Sequence, residues 1–307
     1  MKMFDVVCSL VIFKNKRSQL LDAINSFLNT ELNIRLILID NSPSNDLFDL
    51  IKDPRVDYVH NPSNPGYGTS HNIAIKNFQD KTKYHLILNP DIYYSEGVLE
   101  ELFSFLEKET KIGLLMPKVL YPNGEIQYLA KLIPTPFTFF MRRFNINSKL
   151  KSRLSDKFEL KFSNYDKIMD VPYLSGCFML CRANVLKKIN GFDEKIFMHM
   201  EDLDITRRIN EAGYRTVFYS DQFIIHDHIY KSLFTWSNIS MYFSSAIYYF
   251  NKWGWIFDKK RALINKQTIQ NIKYNILKMS FSEISFGGPR VWEYPGVLPI
   301  RQQAHDT

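Results

Sequence analysis

The sequence predicts an α/β fold built on a mostly parallel, doubly wound sheet. Three features of residues 1–120 carry that prediction. Short apolar runs alternate with segments of helical period, the order expected of β-α-β units. The runs are continuous rather than alternating, as in strands covered on both faces. They stop at turn-forming clusters, Asp40-Asn41-Ser42-Pro43 and Asn89-Pro90-Asp91.

Taken in order, residues 6–13 (VVCSLVIF) read as the first strand, and residues 19–28 as a helix through Leu20, Leu21, Ile24, Phe27 and Leu28. Residues 36–39 (LILI) and 56–60 give two more strands. Residues 66–78 read as a glycine turn running into a helix, 84–88 as a strand, 98–108 as a helix and 112–116 as a strand. Residues 142–167 carry Arg142, Arg143, Lys149, Lys151, Arg153, Lys157 and Lys161, and are expected to form either a mobile basic insertion or a solvated helical surface. Order returns at 171–182. A helix starting near Glu201 carries Ile205, Ile209 and Ala212 and stops at Gly213. Residues 216–219 and 223–226 read as two short strands. From Trp236 the chain is helical and aromatic, through Tyr242, Phe243, Tyr248, Tyr249, Phe250, Trp253 and Trp255. The expected division is a domain over 1–235 with halves meeting near residue 120, a helical extension over 236–286, and a compositionally distinct tail over 287–307.

A chain of 307 residues that is 45% hydrophobic can bury a core without covalent staples. Its three cysteines, Cys8, Cys177 and Cys181, lack histidines at zinc-site spacing and read as buried, reduced thiols of a cytoplasmic protein. No leader-like segment opens the chain, and no run of 18 apolar residues suggests a membrane span. The net charge of +7 suits nucleic acid, an anionic membrane surface or an anionic substrate. Nucleic-acid motifs are missing. The aromatics of the last third favour a membrane surface or a glycan.

Ligands of doubly wound sheets bind beyond the C-terminal ends of the strands. Asp40 and Asp91 both stand at such ends and are expected to face one crevice. A carboxylate there can hold Mg2+ or Mn2+, which grips phosphates; Asn, Pro and Asp are equally common turn residues. Asn64-Pro65-Gly66-Tyr67-Gly68 lies between a strand and a helix, where glycines let backbone N–H groups approach phosphate or ribose, although a plain turn reads as well. His71 stands where the dinucleotide fingerprint needs its third glycine. Glu201-Asp202-Leu203-Asp204 opens a helix. Glu201 and Asp204 share a face and Asp202 points elsewhere, and one of these acids is a candidate general base. His226 and His228 alternate after a strand and could meet a metal or a phosphate.

In order and spacing these residues resemble family 2 glycosyltransferases, inverting enzymes of the GT-A fold, and among them the bacterial rhamnosyltransferase-type members that build O-antigen and other surface polysaccharides. The resemblance rests on VVCSLVIF, Leu38-Ile39-Asp40-Asn41-Ser42, Asn64 to Gly68 with Asn72, Leu88-Asn89-Pro90-Asp91, Ser175 to Leu180, and Gly191-Phe192-Asp193 through Phe197 to Asp204. His226 and residues 249–255 extend it, so it spans roughly residues 4–265. It implies a Rossmann-like mixed sheet flanked by helices, with a donor half before residue 120 and an acceptor half after it. It implies that Asp40 contacts the base and ribose of a nucleoside-diphosphate sugar, with Asn64, Gly66, Gly68, Asn72 and Asn89 along the donor. Asp91 matches the metal-binding acid of the family's D-x-D motif, with Asn89 in place of the first acid. Asp202 matches the general base, with Glu201 second. Ser175 and Gly176 would line the acceptor side, and His226 or His228 would lie near the diphosphate and the divalent cation. The implied reaction is transfer of one sugar, from dTDP-rhamnose or a UDP-hexose, to a free or lipid-linked glycan at the inner face of the membrane. The aromatic, basic C-terminal helices are expected to touch that membrane, to pack on the catalytic domain, or to form a homodimer seam. A sugar-phosphate nucleotidyltransferase is the enzyme alternative, but Lys14-Asn15-Lys16-Arg17-Ser18 holds no glycine where its phosphate loop belongs. A catalytically silent sugar-nucleotide-binding subunit is the other.

Overall fold

A computed structural model describes residues 3–50, 52–143, 148–227 and 236–285. His228 and the tail over 287–307 lie outside the described residues. The elements run β1 (Phe4–Ile12), α1 (Arg17–Leu28), β2 (Ile34–Asp40), β3 (Val56–His60), α2 (Tyr67–Phe78), β4 (Thr82–Leu88), β5 (Ile92–Tyr93), α3 (Val98–Lys108) and β6 (Ile112–Leu120). There follow β7 (Ala130–Lys131), α4 (Pro136–Arg143), α5 (Ser148–Phe158), β8 (Met169–Asp170), β9 (Tyr173–Leu174), β10 (Phe178–Arg182), α6 (Ala183–Lys188), α7 (Glu201–Glu211), β11 (Arg215–His226), α8 (Trp236–Trp253) and α9 (Lys259–Ser285).

The main sheet has the order β3-β2-β1-β4-β10-β6-β11-β5, with β8 also on β11. β3, β2, β1 and β4 are mutually parallel. β10 is inserted antiparallel between β4 and β6, so the sheet is mixed. Strand periodicity explains why β1 reads as one apolar run. Val6, Cys8, Leu10 and Ile12 pack with Leu20, Ile24 and Phe27 of α1. Val7 and Val11 pack with Ile37, Ile39 and Ala74 of α2 on the opposite face. Each such fully buried Leu, Ile or Val contributes about 1.5–3 kcal/mol.

Two expectations need correction. The pair of short strands at 216–219 and 223–226 is one strand, β11. It stays parallel to β6, but Tyr219 faces Pro117 and Phe223 faces Lys118, so Ser220, Asp221 and Gln222 bulge out of the ladder. That polar break split the apolar pattern. Of the two expectations for the basic stretch, the mobile insertion is the one overturned: it is helical over Ser148–Phe158 with Arg153 and Lys157 exposed, as a solvated helical surface would be, while Phe158, Leu160 and Tyr165 join the core.

α8 docks on the loop before α7. Ala246, Tyr249 and Phe250 bury with Ile133, Ile196, Met200 and Leu203. Arg207 of α7 holds Asp258 through two bonds of 2.7 and 2.9 Å and stacks 4.1 Å from the Trp253 ring centroid. Lys252 reaches Asp193 (2.6 Å) and Asp204 (2.8 Å). Much of the aromatic content of α8 therefore fills the interior of this chain. Among the described residues no helix is long and apolar enough to cross a membrane.

Candidate active site

Asp40 and Asp91 lie on the same C-terminal edge of the parallel strands, with β1 between β2 and β4. They do not face a crevice alike. Asp40 is fully buried: its Oδ2 accepts a hydrogen bond from Tyr58 Oη (2.6 Å) and its Oδ1 one from the Ser42 N–H (2.8 Å). β3 places Tyr58 opposite Leu38, and the phenol reaches along the strand to Asp40. Burial and then the Asp40 carboxylate push the Tyr58 phenol up. A cleft of about 320 Å³ flanks this ring, lined by Leu38, Leu47, Phe48, Val56 and Tyr58, but it holds none of the acids Asp91, Glu201 and Asp202. The chemistry lies elsewhere.

The glycine run also differs from expectation. Gly66 has φ +106°, and a Cβ there would lie 2.4 Å from the Phe197 carbonyl oxygen. The Tyr67 N–H donates to that oxygen (2.9 Å). A Cβ on Gly68 would meet Phe192 at 2.8 Å. The Asn72 amide donates to the Phe192 carbonyl (3.0 Å) and accepts from the Phe192 N–H (2.8 Å). Asn64, at φ +44°, accepts from Asn41, which donates also to Ser70. Gly66, Gly68 and Asn72 thus close α2 onto the loop leading to α7, and do not form an open phosphate cradle.

The remaining residues converge. Tyr67 Oη lies 2.9 Å from both Asn89 Oδ1 and the Gly176 carbonyl oxygen, and its hydroxyl donates to one or the other. Burial, then Glu201, holds this phenol well above its ordinary value, with Asp202 and Asp91 adding to the effect. Beyond that bridge, the Gly176 N–H donates to Asp202 Oδ2 (3.1 Å), as does Tyr173 Oη (3.1 Å), while the Leu203 N–H donates to Oδ1 (2.8 Å). A Cβ on Gly176 would sit 3.1 Å from Asp202 Cβ, so any larger residue would press Asp202 a few tenths of an ångström away. His199 (φ +65°) and Met200 (φ +73°) turn the chain through the left-handed region to present Asp202, a conformation costing of order 1–3 kcal/mol each. Glu201 is buried with Oε2 lacking a hydrogen-bond partner, and burial together with Asp202 pushes it up to about 8. Asp204 faces away, salt-bridged to Arg208 and bonded by Trp253 Nε1.

On the other side of Asn89, the backbone oxygen of Asp91 accepts from the Asp227 N–H (2.9 Å), and Asp91 Oδ1 lies 3.3 Å from His226 Nε2. Gln127 holds His226 at two points: its Oε1 meets the imidazole Nδ1 (2.9 Å) and its amide donates to the His226 backbone carbonyl (2.8 Å). With Nδ1 turned to Gln127 Oε1, Nε2 faces the Asp91 carboxylate. The two form a donor set of one carboxylate oxygen and one imidazole nitrogen. Among the described residues no group of three His, Cys, Asp or Glu side chains could hold a metal ion. Asn89 is a neutral amide and adds no charge, and its Oδ1 lies 2.9 Å from Tyr67 Oη.

The sequence reading placed Asn89, Asp91, Ser175, Gly176, Glu201, Asp202 and His226 in this neighbourhood. It missed Tyr67, Tyr173 and Gln127. Tyr67 stood inside the glycine motif but was passed over as part of a turn.

A family model for glycosyl transferase family 2 matches residues 8–189. The chain belongs to that family. The match contains Asn89, Asp91 and Gly176 and ends before Asp202 and His226. Among curated family 2 relatives, the N-acetylglucosaminyl-diphospho-decaprenol L-rhamnosyltransferase of Mycobacterium tuberculosis is 24% identical over 191 residues, which are 56% of this chain and 59% of that one. Rhamnosyltransferase WbbL of Escherichia coli is 27% identical over 184 residues, 56% of this chain and 66% of that one. The O-antigen chain rhamnosyltransferase WbaN of Salmonella anatum is 20% identical over 220 residues, 70% and 62% of the two chains. The chain therefore spans about three fifths of the length of the first of these relatives. The crystal structure of GalNAc-T7 with UDP, GalNAc and Mn2+ superposes with a TM-score of 0.55 at 13% identity, covering 73% of this chain and 43% of that one, which shows the shared GT-A fold.

Proposed function

We propose that this protein transfers a single sugar, with inversion, from a nucleoside-diphosphate sugar to a hydroxyl of a surface-glycan acceptor. The observation that carries the reading is the bridge through Tyr67. It sets the donor-side turn Asn89-Pro90-Asp91 against Gly176 and, through the Gly176 N–H, against Asp202. Asp202 takes the acceptor hydroxyl proton as the acceptor oxygen bonds to the anomeric carbon. The bond from that carbon to the diphosphate oxygen breaks, and its electron pair leaves with the diphosphate. Three donors fix Asp202 in place for this role. Glu201, raised to about 8, keeps its proton at neutral pH and leaves the base role to its neighbour.

Asp91 and His226 fit a divalent cation, since hard ions such as Mg2+ and Mn2+ accept few protein ligands and fill the rest with phosphate oxygens and water. Bound there, such an ion would neutralise charge on the departing diphosphate. Ser175 and Gly176 flank the acceptor side. Asp40 would meet the nucleoside only if Tyr58 yields its place. The rhamnosyltransferase relatives support dTDP-rhamnose over a UDP-hexose as donor. The decaprenol in one relative's name supports an acceptor carried on a lipid at the inner face of the membrane, with this chain at that surface.

The test is Asp202→Asn assayed for transfer and for donor binding by thermal shift, with and without Mn2+. Turnover should fall about 10²–10⁴-fold with the donor-induced shift retained. Wild-type turnover would remove Asp202 from the role, and a wild-type protein shifted by no sugar nucleotide would remove the donor class.

A further inference from the structure

The turn between α8 and α9 exposes three consecutive apolar side chains: Trp255 at 37%, Ile256 at 78% and Phe257 at 93%. Their exposure is built into the fold. Gly254, at φ +101°, breaks out of α8. Arg261, itself buried, then donates to the carbonyl oxygens of Gly254 (3.4 Å), Trp255 (3.1 Å) and Ile256 (3.4 Å). Asp258, also buried, accepts from the Arg261 N–H (2.9 Å) and from Arg207 of α7. Trp255 Nε1 donates to Asn251 Oδ1 (2.8 Å). With the carbonyls turned inward onto one guanidinium, Ile256 and Phe257 project into solvent, while the Trp255 ring also rests on Phe250 at 5.2 Å between centroids. A fraying loop would place neither group so.

Cations follow at once. Lys259, Lys260 and Lys266 are exposed, Lys260 also pairing with Glu211 (2.7 Å), and α9 contains no acidic residue before Glu283. Apolar and aromatic groups at a projecting tip with lysines behind it match the acyl boundary and anionic headgroups of a bilayer. We infer that Trp255-Ile256-Phe257 inserts into an anionic lipid surface, with Lys259, Lys260 and Lys266 above it. This deepens the reading that the acceptor is lipid-carried. It also links the membrane to the active site in few steps, because Asp258 holds Arg207 on α7, whose first turn carries Asp202.

The experiment is co-sedimentation of the full chain with vesicles of phosphatidylcholine alone or mixed with phosphatidylglycerol. Wild type should pellet with the anionic vesicles. Ile256→Ser with Phe257→Ser should bind them at least roughly tenfold more weakly, and Lys259→Glu with Lys266→Glu should lose the preference for the anionic lipid. An unchanged thermal midpoint and unchanged turnover on a water-soluble acceptor show that each variant is folded. Vesicle binding equal to wild type in the serine variant overturns the inference. So does a wild type that stays in the supernatant, or one that sediments as a dimer that the serine substitutions dissociate. Because vesicle binding is read without turnover, its failure leaves the sugar-transfer reading standing, and a failed transfer assay leaves this one standing.

Discussion

Replacing Tyr67 by phenylalanine removes one hydroxyl from the centre of the site and little else. The ring keeps its edge contacts with His71, at 4.4 Å between centroids, and Phe192, at 6.4 Å. What goes is the group shared between Asn89 Oδ1 and the Gly176 carbonyl. Stranding a buried neutral acceptor costs about 1–3 kcal/mol. A domain stable by about 5–15 kcal/mol remains almost wholly folded after that loss, so depletion of native protein cannot lower activity appreciably. The kinetic effect is separate. Gly176 supplies one of the three hydrogen bonds that hold Asp202, at 3.1 Å, and relaxation of its turn loosens the carboxylate on the side that Leu203 does not hold. A displacement near 1 Å at a reacting group costs about 10²-fold in rate. We expect kcat to fall roughly 10–100-fold at saturating donor, measured by nucleotide release, while urea unfolding shows the modest stability loss. A Tyr67→Phe protein destabilised as expected but turning over at the wild-type rate would refute the bridge as a positioning device.

Three further outcomes follow from the same geometry. Glu201 keeps its proton in the folded protein up to about pH 8, against 4.5 ordinarily, so the native state binds the extra proton between those values and stability must decline as pH rises through that window. Glu201→Gln should flatten that slope in urea titrations run across the window, and an unchanged slope would show that another group titrates. Gln127→Leu should raise the Mn2+ concentration for half-maximal activity about 10–100-fold by freeing the His226 ring; an unaltered Mn2+ titration would count against His226 as a ligand. Asp258→Asn, in a pair whose side chains are 2% and 4% exposed, should cost about 3–5 kcal/mol, and pairing it with Arg207→Met should restore part of that. A loss below about 1 kcal/mol in denaturant would mean that the pair is well hydrated.

β1, β2 and β4 of the parallel half were legible because they are buried on both faces and announce themselves as apolar runs, whereas the edge strand β3 is only half-buried. α3, capped by Gly97 and amphipathic throughout, shows the bounds its periodicity predicts, Val98–Lys108. β11 was not legible as one strand, since Ser220-Asp221-Gln222 interrupts the pattern that the ladder resumes at Phe223. The direction of β10 leaves no mark in its own residues, because an apolar central strand reads alike whichever way it runs. At the site, acids after strands and at a helix start stood out by chemical type. Tyr67 and Gln127 did not: their roles arise from contacts with residues 22 to 109 positions away. Asp40 and the glycines matched a motif, but a motif records which residues are present and not what already covers them. Tyr58, Phe192 and Phe197 supply that cover.

The bulge in β11 makes the strand a ruler as well as a scaffold. One end is measured against β6 from Arg215, and the far end delivers His226 opposite Ile92 on β5, beside Asp91. Side chains alternate along a strand, so adding or removing one residue among Ser220, Asp221 and Gln222 would turn His226 to the opposite face while the ladder before Tyr219 stayed in register. Selection on this segment therefore acts on its length before its composition. Relatives that vary freely in these three side chains while never changing their number would carry the signature of that constraint.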